Sequence, residues 1–253
     1  MNPRPLPIDA LVQRVEEASL NAWPALTQLL YDGWIVRMTH GFTRRANSVT
    51  PLGGGGDRPL LDKIRWCENL YARSRQPTLF RLLLHDAPGP LHAALLARGY
   101  TEEEPTRVLL APLPGAAAAA SAVRFTHRKP WLAAYAELTG EPDAARPMHD
   151  LILRSIAGDC LFAFVEDDGR PVACALGVVE DDLLGLFDVA TATRDRRKGH
   201  ARAMLRALHA RGAALGARRA YLQVVLDNAP AAALYDAFGY RELYRYVYLR
   251  APG

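Results

Sequence analysis

The residues whose types are best suited to a chemical function form a basic turn in the second half of the chain, at Arg196, Arg197, Lys198 and Gly199. The segment Asp188–Arg202 reads as a strand that passes through this turn into a helix. The free amides in the first turn of a helix, together with the positive end of its macrodipole, bind anions. Glycine lets the backbone approach an anion closely, and the three cations add charge there. The turn therefore predicts a phosphate or pyrophosphate site.

A second segment, Asn228–Tyr240, makes this interpretation more specific. Residues 196–201 fit the Arg/Gln-x-x-Gly-x-Gly/Ala pyrophosphate signature of the GNAT acetyltransferases, in the expected strand-to-helix context. Asn228–Tyr240 resembles the family's Asn-x-x-Ala-x-x-Leu-Tyr-x-x-x-Gly-Phe segment at matching spacing and distance downstream. Two motifs in the family's order are far more specific than either alone. The resemblance extends from Val123 to Gly253.

The resemblance implies that acetyl-CoA is the donor and that the loop binds its pyrophosphate mainly through backbone amides. The loop residues implied are Arg196, Arg197, Lys198, Gly199, His200, Ala201 and Arg202. The preceding strand, with Val189, Ala190 and Thr191, would pair with the pantetheine arm like an added strand edge. Asn228 would use its side-chain amide near the pantetheine or adenosine-phosphate portion. Tyr235 would be the general acid that protonates the departing CoA thiolate, after direct attack by a neutral primary amine on the thioester.

Each of these residues also has a structural interpretation. Gly199 suits a tight helix start with the basic residues on a solvated face, and Asn228 before Ala-Pro suits a helix N-cap. Tyr235 has apolar neighbours and suits a core position. His200 occupies a variable position of the loop and is interpreted as a surface or CoA-contacting side chain. The second motif favours the functional interpretation, and for Asn228 the two roles are compatible.

The sequence departs from the family at the position of a general base. Several members keep a glutamate in the strand that corresponds to Leu183–Ala190, but here Gly185 falls near that position. Asp188 is the only carboxylate of this strand, and side-chain alternation predicts that it lies on the opposite face from Gly185. Asp188 is therefore the candidate base, and a water-mediated base or none are the alternatives.

A repeat at an offset of 140 residues matches Pro90–Tyr100 to Pro230–Tyr240. Strand, helix, strand, helix and strand recur from about Trp34 to Leu110, so the first half is predicted to be a partial GNAT unit. The chemistry does not recur, because Tyr235, Asn228 and Gly199 correspond to Leu95, Pro88 and Pro59. This half is therefore predicted to be degenerate. Its Gly53–Gly56 loop suits either an anion or simple flexibility.

The polar stretch Trp34–Val49 resembles a segment seen in two-part GNAT proteins of uncharacterised substrate. We interpret it as a strand pair whose polar residues either line an acceptor pocket or satisfy buried backbone. Arg37, Arg45 and Asn47 are the candidate substrate residues.

The predicted fold class is α/β, a GNAT fold with a mixed, mostly antiparallel sheet flanked by helices. After Ala122 the predicted order is β-α-α-β-β-β-α-β-α-β, and a helix is predicted at Ile8–Ala22. Residues 1–112 are predicted to be the degenerate domain, 113–122 an alanine-rich linker and 123–253 the catalytic domain.

Composition narrows the function classes. Half of the residues are hydrophobic and 23% are charged, as in a globular protein, and the net charge of +4 suits an anionic ligand. Without a long apolar run, or a basic run interleaved with aromatics, we expect a cytoplasmic protein that binds neither membrane nor nucleic acid. The three cysteines are interpreted as reduced thiols, with no metal.

The leading prediction is an N-acetyltransferase acting on a small-molecule or peptide amine. A non-catalytic CoA-binding module and a transferase of a longer acyl group are the alternatives. The sequence decides neither the acceptor nor the oligomeric state.

Overall fold

The computed structural model describes residues 8–52, 56–84, 89–113 and 122–253. The helices in these ranges are α1 Ile8–Ala22, α2 Leu60–Arg73, α3 Pro90–Ala97, α4 Arg128–Thr139, α5 Arg146–Arg154, α6 His200–Ala214 and α7 Ala229–Asp236. The strands are β1 Thr27–Tyr31, β2 Trp34–Met38, β3 Val49–Pro51, β4 Leu79–Leu84, β5 Thr101–Pro112, β6 Arg124–Thr126, β7 Asp159–Asp167, β8 Arg170–Glu180, β9 Leu183–Thr191, β10 Arg219–Val225 and β11 Arg241–Arg250. A short 3-10 turn covers Thr193–Asp195.

The described chain divides into two compact units that do not follow chain order. Unit 1 comprises α1, Leu109–Val224 and Asn228–Leu243. Unit 2 comprises Pro24–Val108, Val225–Asp227 and Tyr244–Gly253, so the division falls within β5 and β11. The boundaries predicted at residues 112 and 123 stay a prediction, and residues 114–121 of the predicted linker lie outside the described residues.

Unit 1 contains a mixed sheet in the order β10-β9-β8-β7-β6. Only β9 and β10 run parallel among these pairs, and the rest are antiparallel. The predicted turn between β7 and β8 is confirmed, because Asp168 and Gly169 both have positive φ, as a two-residue type I′ hairpin requires. Helix α6 buries Met204, Leu205 and Leu208 in the core of this unit. The sequence predicted this stripe from its helical spacing.

Helix α1 joins unit 1 through polar contacts to the β8–β9 turn. The guanidinium of Arg14 pairs with the carboxylate of Asp182, and the Asn21 amide donates to Glu180 at 2.8 Å. The predicted bounds of this helix, Ile8–Ala22, are confirmed. A helix from the start of the chain therefore completes the unit that contains the second-half motifs.

Unit 2 orders its strands β1-β2-β3-β4-β11-β5, with β3 and β4 parallel. Its core gathers buried residues from β2, α2, β4 and α3, including Trp34, Ile64, Phe80 and Leu95. The stretch predicted as a polar strand pair contains β2 and the start of the short β3, which pair antiparallel and are joined by turns over residues 39–48. Strand β1, which pairs with β2 as a hairpin, was not predicted.

The elements of the repeat recur at the predicted offset. Strand β4, helix α3 and strand β5 each begin within one residue of the positions that β10, α7 and β11 predict. The turn glycines Gly99 and Gly239 share a left-handed conformation, with φ of 83° and 79°. Both α/β units are therefore consistent with the predicted fold class. Among the described helices, none combines the length and apolar character that crossing a membrane requires.

Candidate active site

Strand β9 loses its parallel neighbour halfway along its length. Its pairing with β10 covers Leu183–Leu186 against Arg219–Leu222 and does not extend to Phe187 or beyond in the described strands. The residues that follow, Val189, Ala190 and Thr191, are half-buried. An unpaired strand edge can hydrogen-bond an extended ligand as if the ligand were one more strand.

A bulge at Asp188 marks the point where the strands separate. The register between β8 and β9 shifts between Cys174 and Leu176, and Asp188 has a φ of 49°, a left-handed conformation that aspartate tolerates better than most residues. The Trp131 indole donates to the carbonyl oxygens of Ala163 and Ala175, at 3.1 Å each. Trp131 therefore ties α4 to the sheet at the residue opposite the bulge.

The bulge changes the direction of the Asp188 side chain. Its carboxylate meets His149, the His149 ring packs on Trp23, and Trp23 stacks on Phe187. Phe187 in turn lies beside Gly185. The prediction that Asp188 faces away from Gly185 is therefore wrong, because the extra residue of a bulge breaks the period of two.

The position of the missing glutamate is filled by other side chains. A Cβ atom at Gly185 would lie 2.6 Å from the Tyr221 hydroxyl and 2.6 Å from Phe187 Cε2. Both neighbours are buried aromatic residues. A side chain at this position would require Tyr221 or Phe187 to move, so a base at this point of the strand does not fit the present packing.

The turn between β9 and α6 is shaped for an anion. Gly199 is the N-cap of α6 with a φ of 87°, and Arg197 is also left-handed with a φ of 63°. Glycine has no side chain, so the N-cap residue forms no side-chain hydrogen bond with the amides of the first turn. Arg196 and Arg197 are exposed. The amides of the first turn of α6 therefore point out of the helix with the positive end of its macrodipole.

One carboxylate inside this turn organises its cations. Asp195 is 2% exposed and accepts a hydrogen bond from Lys198 Nζ at 2.7 Å. That bond and the charges of Lys198 and Arg194 lower the pKa of Asp195 below its usual value. Lys198 is thus held by the loop itself, whereas Arg196 and Arg197 face solvent and suit a bound anion.

Helix α7 positions the second motif. The Asn228 side-chain oxygen accepts from the Ala231 amide at 3.3 Å, which confirms the predicted N-cap, and proline follows at the start of the helix. The cap uses only the oxygen of the side chain. Its amide nitrogen has no protein acceptor among the described residues, so it can serve a ligand.

Tyr235 is both a core residue and a protonated phenol. It is 7% exposed, belongs to the core of unit 1, and packs its ring 5.7 Å from that of Tyr240. Burial raises the pKa of Tyr235 to about 12. No described residue hydrogen-bonds its hydroxyl, whereas Tyr240 shares a hydrogen bond of 2.8 Å with His209. At neutral pH Tyr235 therefore keeps the proton that a general acid needs.

A cluster that the sequence did not indicate lies beside the bulge. His149 Nδ1 is 2.8 Å from Glu141 Oε1, and His149 Nε2 is 3.2 Å from Asp188 Oδ2. Burial alone would lower the pKa of His149, but Asp188 and Glu141 raise it above its usual 6.5. Neither local spacing nor a motif links these residues, which come from the α4–α5 loop, α5 and β9.

The candidate substrate residues of unit 2 have structural partners. The Asn47 oxygen accepts from the amides of Thr39 and Gly41, and its nitrogen donates to the carbonyls of Phe42 and Thr43. Its amide has no remaining group for a substrate. Arg37 is fully buried and donates from Nη1 to the carbonyl of Arg45 at 2.9 Å. These contacts fit the alternative that the polar side chains of this stretch form hydrogen bonds with buried backbone groups.

The described residues contain no group of three or more His, Cys, Asp or Glu that could hold a metal ion. The cysteines Cys67, Cys160 and Cys174 are free thiols.

The chain is similar to acetyltransferases over almost its whole length. A family model described as "Probable histone acetyltransferase Rv0428c C-terminal" matches residues 10–249. The uncharacterized N-acetyltransferase YobR of Bacillus subtilis (strain 168) is 24% identical over 245 residues, covering 94% of this chain and 97% of YobR.

Solved structures share its fold. A GCN5-related N-acetyltransferase from Kribbella flavida has a TM-score of 0.70 at 17% identity, covering 98% of this chain and 97% of that one. A tandem GNAT protein from the clavulanic acid biosynthesis pathway has a TM-score of 0.57 at 15% identity, covering 81% and 76%. The predicted GNAT fold is therefore confirmed.

Proposed function

Because the chain belongs to the GNAT superfamily, in the family of the probable histone acetyltransferase Rv0428c C-terminal region, we propose that it transfers an acetyl group from acetyl-CoA to a primary amine. Acetyl transfer is the general activity that the family and the N-acetyltransferase relative support. We propose in addition the donor, the class of acceptor and the role of each site residue. One observation carries it: α6 begins at a left-handed Gly199 with no side-chain cap, next to the free edge of β9.

The donor fits this arrangement in two places. The amides at the start of α6, with Arg196 and Arg197, match the doubly charged pyrophosphate. The edge of β9 beyond Leu186 matches the pantetheine arm, whose amide groups hydrogen-bond like a peptide. The Asn228 nitrogen adds a donor at the start of α7. The adjacent His200, Ala201 and Arg202 would line the same anion site.

The chemistry is direct transfer. The nitrogen lone pair of the neutral amine forms the new C–N bond, and the C–S bond of the thioester breaks. The departing thiolate takes a proton from the Tyr235 hydroxyl, which burial keeps protonated. Acceptors of this kind are small amines or peptide amines, and a protein lysine is among them.

The proposal is tested by thiol release from acetyl-CoA in the presence of three amine probes. These are spermidine, a lysine peptide with a blocked N-terminus, and a lysine-free peptide with a free N-terminus. We expect amine-dependent release with wild type, and a kcat about 100-fold lower for Tyr235→Phe, since general acid catalysis contributes at least that much.

Tyr240→Phe is the matched control, because it keeps the ring that packs on Tyr235 and removes another buried hydroxyl of the same core, the one that bonds His209. It should keep the wild-type kcat. Equal loss in both variants would contradict the assignment of Tyr235.

A second function, a non-catalytic CoA-binding module, is favoured by one observation, the absence of room for a base at Gly185. Saturable acetyl-CoA binding without thiol release on any amine would favour that module. Release with a longer acyl-CoA but not with acetyl-CoA would identify a different acyltransferase.

A further inference from the structure

Three ionisable groups of unit 1 meet in one cluster, which we call the relay: Glu141, His149 and Asp188. His149 lies between the two carboxylates, 2.8 Å from Glu141 and 3.2 Å from Asp188. Its ring is enclosed by Trp23, Trp131 and Tyr135, with centroids 5.5, 6.1 and 5.1 Å away. Burying ionisable groups costs desolvation free energy, and His149 is only 1% exposed between two carboxylates. Such clusters occur preferentially at functional sites.

Separate local features bring the three groups together. Helix α4 ends at Gly140, whose φ is 69°, and the amides of Gly140 and Glu141 both donate to the Ala136 carbonyl. That cap sets the direction of Glu141. His149 lies in the first turn of α5, and the bulge of β9 turns Asp188 toward it. The relay therefore depends on a helix end, a helix start and a bulge.

The exposure of the three side chains indicates the order in which a proton would pass along the relay. Side-chain exposure is 1% for His149, 8% for Glu141 and 17% for Asp188, so Asp188 is the member that a substrate can reach. Both neighbours are carboxylates, which only accept hydrogen bonds, and Glu141 makes the shorter contact, so we place the proton of the neutral ring on Nδ1. Nε2 can then accept a proton from Asp188 once the substrate has protonated that carboxylate.

We propose that this relay is the proton acceptor of the reaction, in which Asp188 takes the proton from the acceptor ammonium and His149 holds it. The inference rests on the proposed function and deepens it. The relay supplies the base for which Gly185 leaves no space, and it does so from the point where β9 separates from β10. His149 and Glu141 are positioning residues, and Asp188 alone meets the substrate.

The amine nitrogen loses two protons in each turnover. The bound ammonium gives one proton to the Asp188 carboxylate, and the proton moves on to His149 Nε2, so an imidazolium forms between two carboxylates. The neutral amine then attacks the thioester, and the thiolate takes the Tyr235 proton. The second proton that the nitrogen loses restores Tyr235, and the relay returns its proton to water after the products leave. The net products are an amide, free CoA thiol and one proton.

The relay predicts the sign of a pH dependence. Only neutral His149 can accept a proton, so kcat should rise with pH through the pKa of His149, which its two carboxylates raise above 6.5. Cys174 on β8 interacts with Asp188, and burial raises the pKa of that thiol, so it stays neutral. Tyr135 on α4 meets the ring edge-on. Removing either carboxylate should therefore move the rising limb to lower pH.

The test compares the pH profile of kcat for wild type, Asp188→Asn and Glu141→Gln, with the amine probe that wild type turns over. Asparagine tolerates a left-handed backbone as aspartate does, so Asp188→Asn removes the charge and keeps the bulge. Asp150→Asn is the control, because it removes a carboxylate next to His149 on α5 that pairs with Arg128 instead. Acetyl-CoA affinity is measured for every variant.

We expect kcat to fall about 100-fold in Asp188→Asn and less in Glu141→Gln, with the rising limb shifted to lower pH in both, and a wild-type limb in Asp150→Asn. Acetyl-CoA affinity should not change in any of them. Lower kcat with an unmoved limb in both test variants would reduce the cluster to a structural role and overturn the relay alone. Wild type that binds acetyl-CoA and turns over no probe would overturn the proposed transferase and the relay with it.

Discussion

The loops that precede helices α2 and α6 occupy equivalent places in the repeat but differ in how they bind negative charge. Before α2, the Asp32 carboxylate accepts from the amides of Asp57 and Arg58, at 3.1 and 3.3 Å, and pairs with Lys63 at 3.1 Å. Gly56 permits this approach, since a Cβ there would collide with that carboxylate. The residues at the same offset before α6 are Arg196, Arg197 and Lys198; there the Asp195 carboxylate pairs with Lys198, and Arg196 and Arg197 are exposed.

Equivalent loops of the two halves can therefore serve different purposes. In the first half a side chain of the protein, Asp32, provides the anion that the loop before α2 binds. In the second half, we propose that the corresponding loop and the start of α6 bind an external anion. The residues around it follow this division, because Gly199 corresponds to Pro59, with a φ of −55°, and Tyr235 corresponds to the fully buried Leu95.

The largest effect is expected when the second half is given its own carboxylate. Gly199→Glu places a negative charge where we propose the pyrophosphate binds, as Asp32 does in the first half. Like charges in one site cost several kcal/mol, so acetyl-CoA affinity measured by calorimetry should fall about 100-fold or more.

Gly216→Glu is the matched control. It adds the same side chain at the other end of α6, also at a left-handed glycine in open space, with a φ of 102°. This variant should have a lower free energy of unfolding because of backbone strain, but it should keep the wild-type affinity for acetyl-CoA. Equal loss of affinity in both variants would mean that strain, and not the site, explains the result.

An intermediate effect is expected when the first half loses its carboxylate. Asp32→Asn should lower the midpoint of thermal unfolding by about 2–4 °C and leave acetyl-CoA affinity unchanged. Partial desolvation raises the pKa of Asp32, but Lys63 and the two amides outweigh it and lower the pKa below 3.8. Because the pKa of Asp32 is lower in the folded protein than in the unfolded chain, its carboxylate stabilises the fold at pH values above the unfolded pKa. The difference in unfolding midpoint between variant and wild type should therefore vanish as the pH falls below 3.8. A new acetyl-CoA site in this variant would show that Asp32 had been blocking a functional loop.

The smallest effect separates the two roles of Asn228. Aspartate caps a helix as well as asparagine does, so Asn228→Asp should keep the melting temperature while acetyl-CoA affinity falls about fivefold through loss of the amide donor. Asn228→Ala should lose about 1 kcal/mol of stability as well. An unchanged affinity in both variants would leave Asn228 as a cap only.

Sequence reasoning located most elements of unit 1 because their signals are local. The hairpin at Asp168–Gly169, the cap at Asn228 and the apolar stripe of α6 each depend on a few neighbouring residues. Strand β1 was missed, because four of its five residues are exposed and give no apolar alternation.

The relay could not be predicted in the same way. Glu141, His149 and Asp188 are brought together by a helix cap and a bulge, and a bulge breaks the alternation on which face predictions depend. Asp32 likewise lies 25 and 26 residues from the two amides that donate to it, and no sequence motif indicates that contact.

The stoichiometry of acetyl-CoA binding to wild type, measured by calorimetry, tests the contrast between the two halves most directly. We expect saturable binding of one molecule per chain, because Asp32 already occupies the equivalent place in the first half. Gly199→Glu should weaken this binding about 100-fold or more. Two molecules per chain would contradict the contrast between the halves, and no binding by a folded protein would contradict the proposed donor.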